Sequence, residues 1–238
     1  VGTPCVRLIF CADGNSAHAR AAIAAGWEYG VRLPARGMLS GVPLAFADQD
    51  WRRPDRQRYM ACLAKHRPAL ATVLDWEEPE QFAEVLSWAE EAAQYAREAV
   101  LIVPKLSGQI NHIPRRPGGK DVWLAYSIPT AHGAAPIMLY ELAGWPVHLL
   151  GGSPQRQMEA HSYLRGIADV RSADGNMARK MATSRCLYWT AQKSRYGHWQ
   201  PLGGFEGNGP LEALSRSLSN IRNRWTALRL AQARLEGP

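Results

Sequence analysis

Eight short apolar, β-branched runs recur along the chain, at residues 7–11, 29–33, 44–47, 70–74, 100–103, 122–127, 146–150 and 168–172. Several close on a polar or glycine-containing punctuation and lead into a helix-like stretch. Residues 16–25 are alanine-rich and stop at Gly26, residues 56–65 are amphipathic, residues 80–97 carry apolar side chains at helical spacing, and residues 154–164 follow a Ser-Pro start. Strands alternating with helices pair in parallel through right-handed crossovers. Eight such units predict an α/β protein built as a (β/α)8 barrel of the TIM type, with an open doubly wound sheet as the alternative. The second and sixth units have little room for a full helix.

The pattern changes beyond Asn176. Residues 186–209 are rich in aromatics and glycine, and Pro210 opens a helical stretch to Arg234 with Leu211, Leu214, Leu218, Ile221, Trp225 and Leu228 on one stripe. No low-complexity linker intervenes, so residues 1–180 are expected to form the barrel and residues 181–238 an extension packed on it. Charge divides along the same line. Residues 1–175 hold 18 Lys and Arg against 18 Asp and Glu, whereas residues 176–238 hold 10 against 3, which is the whole net excess of +7. A basic segment interleaved with aromatics suits phosphate contact and base stacking. Arg179, Lys180, Arg185, Lys193, Arg195 and Trp199 are its candidates for nucleic-acid contact, with Arg216, Arg222, Arg224 and Arg229 on the polar face of the last helix. A solvated surface over buried tryptophans is the simpler alternative.

Cys5, Cys11, Cys62 and Cys186 form no C-x-x-C or C-x-C pair, which points away from disulfides or structural zinc and toward a reducing, cytoplasmic setting. No apolar run approaches the ~20 residues of a membrane span, and no charged-then-apolar leader opens the chain, so a soluble, untargeted protein is expected.

The active site of such a barrel lies at the C-terminal ends of its strands, so the residues closing each run carry the most information. They are unusually acidic: Asp13 after the first, Asp48 and Asp50 after the third, Asp75 after the fourth with Glu77 and Glu78 behind it, and Asp174 after the eighth. Lys105 closes the fifth run and Gly151-Gly152 the seventh. Carboxylates converging on one mouth either bind a divalent cation or divide nucleophile and acid/base roles, and a single Asp after a strand also serves as a helix N-cap. No H-E-x-x-H, Cys-His cluster, G-x-S-x-G or Walker-type loop occurs, which removes the usual zincin, serine-hydrolase and nucleotidase readings. His148, inside an apolar run, reads as a satisfied core residue. The tetrapeptide Ala-Asp-Gly-Asn stands at residues 12–15 and 173–176. Barrel closure would set its two copies side by side, although Asp-Gly-Asn is also ordinary turn chemistry.

The stretch Leu149-Leu150-Gly151-Gly152-Ser153-Pro154, followed by Ala168-Asp169-Val170-Arg171-Ser172-Ala173-Asp174-Gly175-Asn176-Met177-Ala178-Arg179, resembles the penultimate and nucleophile strands of the tRNA-guanine transglycosylase superfamily. The closest likeness is to the phage and bacterial enzymes that place 7-deazaguanines in DNA. Leu74-Asp75-Trp76-Glu77-Glu78-Pro79 and Phe46-Ala47-Asp48-Gln49-Asp50 are similar to two further segments of that family. The resemblance covers roughly residues 7–180 and implies a nucleophile at Asp174, a guanine-reading carboxylate at Asp75, and a second catalytic aspartate at Asp48 or Asp50. It extends base binding to Asp13, Asp50, Lys105, Gly151 and Gly152. Three features depart from the tRNA enzymes: Val122-Trp123-Leu124-Ala125-Tyr126 lacks their glycine pair, Lys105 stands roughly where they carry glutamine, and their three-cysteine, one-histidine zinc insert is absent. The implied substrates are therefore DNA, ahead of tRNA, and a 7-deazaguanine base such as preQ0, with no cofactor. A metal-dependent barrel hydrolase and a nucleic-acid-binding accessory protein are the competing expectations.

Overall fold

The computed structural model describes residues 6–12, 16–129, 136–188, 198–201 and 209–235. Its strands are β1 (Arg7–Cys11), β2 (Glu28–Leu33), β3 (Phe46–Gln49), β4 (Leu70–Thr72), β5 (Ala99–Ile102), β6 (Asp121–Ser127), β7 (Pro146–Leu150) and β8 (Asp169–Gly175). They close into one barrel in sequence order, each parallel to the next, with β8 returning to β1. The fold is a (β/α)8 barrel, and the open sheet is excluded by the pairing of Leu8 with Ala173 and Ile9 with Asp174.

The period-2 alternation of a strand sorts its side chains into two layers. Ile9, Cys11, Phe46, Leu70, Leu101, Trp123 and Ala125 fill the barrel interior. Leu8, Phe10, Ala47, Val100 and Leu124 join the outer layer, between sheet and helices. Two strands run further than their apolar runs imply. Asp48 and the triplet Ala173-Asp174-Gly175 are strand residues, so the second Ala-Asp-Gly-Asn copy is strand for three of its four positions and not a turn. Neighbouring strands supply the pairing: Asp48 sits opposite Arg32, and Asp174 opposite Ile9.

The helices are α1 (Ser16–Ala24), α2 (Arg56–His66), α3 (Phe82–Ala93), α4 (Pro154–Leu164), α5 (Met177–Thr183) and α6 (Gly209–Leu235). The Asp55 side chain caps α2 by accepting from Arg58 N, and Ser153 does the same for α4 through Arg156 N. α3 ends at Ala93, short of the expected Arg97, because the chain turns away to give the N–H groups of Arg97 and Glu98 to the carbonyls of Pro68 and Ala69 at the start of β4. The connections after β2 and β6 contain no α-helix among the described residues, in keeping with their short sequence allotment.

Beyond the barrel, β9 (Cys186–Tyr188) and β10 (Trp199–Pro201) pair antiparallel, and α6 packs against α1, α5 and β9. Ala213, Leu214, Ser217, Leu218, Ile221 and Trp225 form its buried face, while Leu211 stays exposed. Trp27 Nε1, just before β2, donates to Leu218 O at 3.0 Å, tying helix to barrel. Arg222 donates to Ala25 O at 3.2 Å and lies where a side chain at Gly26 would have to go, so this arginine serves the end of α1. Arg216 pairs with Glu212 and Arg224 meets His198. No helix among the described residues is long and apolar enough to cross a membrane.

Leu218 is fully buried between α6 and the barrel. Leu218→Ala is expected to lower the unfolding free energy by about 2–5 kcal/mol in chemical denaturation; a loss under about 1 kcal/mol would mean that the site collapses around the deletion.

Candidate active site

Asp174 is buried at the β1–β8 seam and meets three donors. Its Oδ1 accepts from Gly151 N at 2.8 Å and lies 3.2 Å from His148 Nε2, while its Oδ2 accepts from Cys11 Sγ at 3.1 Å. His148 is completely buried, stacks on Phe46 with centroids 4.9 Å apart, and places Nδ1 2.7 Å from Ser172 Oγ. With Nε2–H directed at the carboxylate, Nδ1 accepts the Ser172 hydroxyl, and one neutral tautomer satisfies both contacts. His148 is thus a core residue and at the same time a support for Asp174.

The turn after β7 exists to present one N–H. Gly151 and Gly152 both take positive φ, 64° and 75°, and a Cβ on Gly152 would meet Ile128 Cγ2 at 2.3 Å. Gln157 reaches from α4 and donates from Nε2 to Gly151 O at 2.7 Å and to Asp174 O at 2.6 Å, clamping turn to strand. Of the two glycines expected to contact a base, Gly151 gives its N–H to Asp174 and its C=O to Gln157, and Gly152 backs onto Ile128.

Asp48 faces the same mouth from β3. Thr72 Oγ1 donates to its Oδ1 at 3.1 Å, and Arg32 Nε stands 3.5 Å from its Oδ2. Burial first, then the negative charges of Asp174 and Asp75, push its carboxyl up to about 7 against the pull of Arg32 and Thr72. Asp75 follows β4, where the chain continues in parallel register: Trp76 N donates to Val103 O and Lys105 N to Trp76 O. That pairing sets Lys105 Nζ 3.4 Å from Asp75 Oδ2. Burial raises the Asp75 carboxyl, with Lys105 drawing it down.

Asp48, Asp75 and Asp174 therefore share one electrostatic environment, with Lys105 beside them. Asp50, beyond the end of β3, accepts from Arg52 N at 3.3 Å, and Asp48 is the aspartate of that segment that feels the charge of Asp174. Asp13, Lys193 and Arg195 lie outside the described residues. Arg179 and Lys180 stand in the first turns of α5, at the mouth, where the charge of Arg179 helps burial lower the His18 pKa. Arg185 comes after the far end of that helix, with φ 53°. Trp199, expected to contact nucleic acid, is buried, its ring nearly perpendicular to that of Tyr188 with centroids 5.1 Å apart. Among the described residues no three His, Cys, Asp or Glu side chains are grouped to hold a metal ion.

Cys11, Thr72, Arg32, Gln49 and Gln157 escape the sequence reading. Cys11 and Thr72 were within its reach, since inward alternation puts the last residue of β1 and of β4 under the mouth. His148 and Gln157 carry no local signal for their contacts, which depend on strands and helices brought together by closure.

The model of a family of unknown function, DUF6610, matches residues 22–226, and the chain belongs to that family. Comparison with curated proteins gives no match.

The raised value at Asp48 has a consequence for stability. Folding favours its neutral form, so its contribution is fully present below about pH 4, the unfolded value, and is lost as pH rises through about 7. Asp48→Asn, which keeps the shape without the charge, is expected to match wild type near pH 4 and to exceed it by roughly 2–4 kcal/mol at pH 8. Denaturant titrations at both pH values measure this, and an equal difference at the two would remove the assignment.

Proposed function

Starting from this DUF6610 chain and its barrel mouth, we propose that the protein exchanges guanine in a nucleic acid, DNA ahead of tRNA, for a 7-deazaguanine base through a covalent aspartyl-glycosyl intermediate. The observation that carries the reading is three carboxylates in one mouth held in unlike surroundings: Asp174 ringed by donors, Asp48 pushed up to about 7, and Asp75 beside an ammonium. Carboxylates with divergent environments are what divides nucleophile from acid/base.

Asp174 Oδ1 is committed to Gly151 and His148, so Oδ2, which accepts from Cys11 alone, is the oxygen that attacks the sugar C1′. The new C1′–O bond forms as the C1′–N bond to guanine breaks, and the bond electrons leave with the base. Asp48, close to half-protonated at neutral pH, gives the departing guanine its proton. An entering 7-deazaguanine attacks the same carbon, gives its proton to Asp48 and releases Asp174. No ATP is needed, because the ester stores the glycosyl bond between the two steps. Asp75 accepts from N1–H and the exocyclic amine of either base, and Lys105, 3.4 Å from Asp75, donates to the neighbouring carbonyl in this reading. The target nucleoside must leave its stack to reach this mouth.

Mass spectrometry of nucleosides from DNA and, separately, from tRNA after incubation with the protein and preQ0 tests the reading. Incorporation in DNA is expected, and its abolition in Asp174→Asn with the fold intact; undiminished exchange in that variant would remove the nucleophile, and no exchange in either nucleic acid would remove the function. Asp75→Ala should weaken binding of free preQ0 about 30-fold by calorimetry, two hydrogen bonds at ~1 kcal/mol each.

A further inference from the structure

Basic side chains at the mouth form a second cluster that the charge division along the chain does not reveal. A cleft of about 760 Å³ opens between residues 32–36, at and after the end of β2, and residues 49–59, which run from the end of β3 into α2. Arg32, Arg36, Arg53 and Arg58 line it, together with Asp50 and Asp55. Both carboxylates are turned to their own loop, Asp50 accepting from Arg52 N and Asp55 from Arg58 N. Arg36, Arg53 and Arg58 are exposed, and their guanidinium groups have no ion pair or hydrogen bond among the described residues. Arginines outnumber the two aspartates around this concavity, and an anion between the Arg36, Arg53 and Arg58 guanidinium groups relieves their mutual repulsion.

Two further observations bear on what the cleft holds. Gln49 lines the cleft and is buried with its amide beside Asp75, so this wall of the cleft is continuous with the reaction site. On the same loop Trp51 is 48% exposed, with the Arg52 guanidinium 4.8 Å from its ring centroid. An exposed indole flanked by cations is a stacking face for a base. Arg32 joins this cleft to the reaction site, since it lines the one and touches Asp48 in the other.

We propose that the cleft between β2 and β3 holds the phosphates of the strand flanking the reacting nucleoside, with Arg36, Arg53 and Arg58 as phosphate ligands and Trp51 stacking a neighbouring base. The proposal rests on the reading of the mouth as a site for a nucleoside within a strand. The same phosphate chemistry is offered by a free mononucleotide, and the two sources are separable.

Binding of a fluorescein-labelled 12-nucleotide single strand, of dGMP and of inorganic phosphate is measured between 50 and 200 mM salt for wild type and for the triple variant Arg36→Ala, Arg53→Ala, Arg58→Ala. The strand's affinity should fall at least tenfold at the low-salt end, and the log–log salt slope should flatten by about 2 units, three contacts at ~0.7 each. Trp51→Ala should weaken strand binding with little change of slope. Unchanged affinity and slope in the triple variant would overturn the cleft, as would their loss only when Arg216, Arg222, Arg224 and Arg229 are replaced. Arginine dependence confined to dGMP or phosphate would uphold the phosphate site and overturn the strand. Nucleoside analysis on wild-type protein judges base exchange independently, so a failed exchange with a positive binding result condemns the function and leaves the cleft standing.

Discussion

A buried carboxylate at a barrel seam must be surrounded by donors or lose its charge, and Asp174 is where this constraint shapes the fold. One donor is a backbone N–H, which obliges the turn after β7 to adopt two consecutive positive-φ residues, Gly151 and Gly152. Another is a fully buried histidine, which in turn needs Ser172 and the face of Phe46. Gln157 then binds the turn carbonyl and the Asp174 carbonyl together, which fixes where α4 starts. Strand, turn and helix thus answer to one side chain. Changing Gly152, which touches no reacting group, would disturb the carboxylate through Ile128.

The second organising feature is repulsion among carboxylates. Burial first, and then the charges of Asp174 and Asp75, move the titration of Asp48 into the neutral range even with Arg32 and Thr72 opposing. Asp75 has Lys105 as a direct counter-ion. Three residues of the same type thereby acquire different surroundings from position alone, the condition under which acid/base and nucleophilic roles separate. Arg32 has a double part, stabilising charge on Asp48 and lining the neighbouring cleft.

Basic charge illustrates how far a linear reading reaches. The excess of the last 63 residues is real in the sequence, yet Arg222 serves the end of α1, Arg224 meets His198 and Arg216 pairs along its own helix. The arginines without carboxylate partners at the mouth belong to a segment whose net charge is zero by count. Summation along the chain cancels them against acids elsewhere in sequence, such as Glu77 and Glu78 after β4. Electrostatic fields depend on positions, and only folding assigns them.

Fold class was legible because each element announces itself locally. Apolar runs of strand length, helical periodicity and caps such as Asp55 and Ser153 are properties of neighbours in sequence. The acidic closing residues of the strands were legible for the same reason, and Asp48, Asp75 and Asp174 could be named from their places alone. What the sequence could not determine was which side chains meet after closure. The contacts of Cys11 and His148 with Asp174 span 163 and 26 residues, and that of Gln157 spans 17. Asp48 and Asp50 would share one face of a continuous strand and differ because β3 ends at Gln49, which holds Asp48 in the barrel and sends Asp50 into the loop, where it accepts from Arg52 N. Local propensity sets elements, because its interactions are short in sequence; the tertiary structure sets the site, because hydrogen bonds and charge–charge forces act over distances in space.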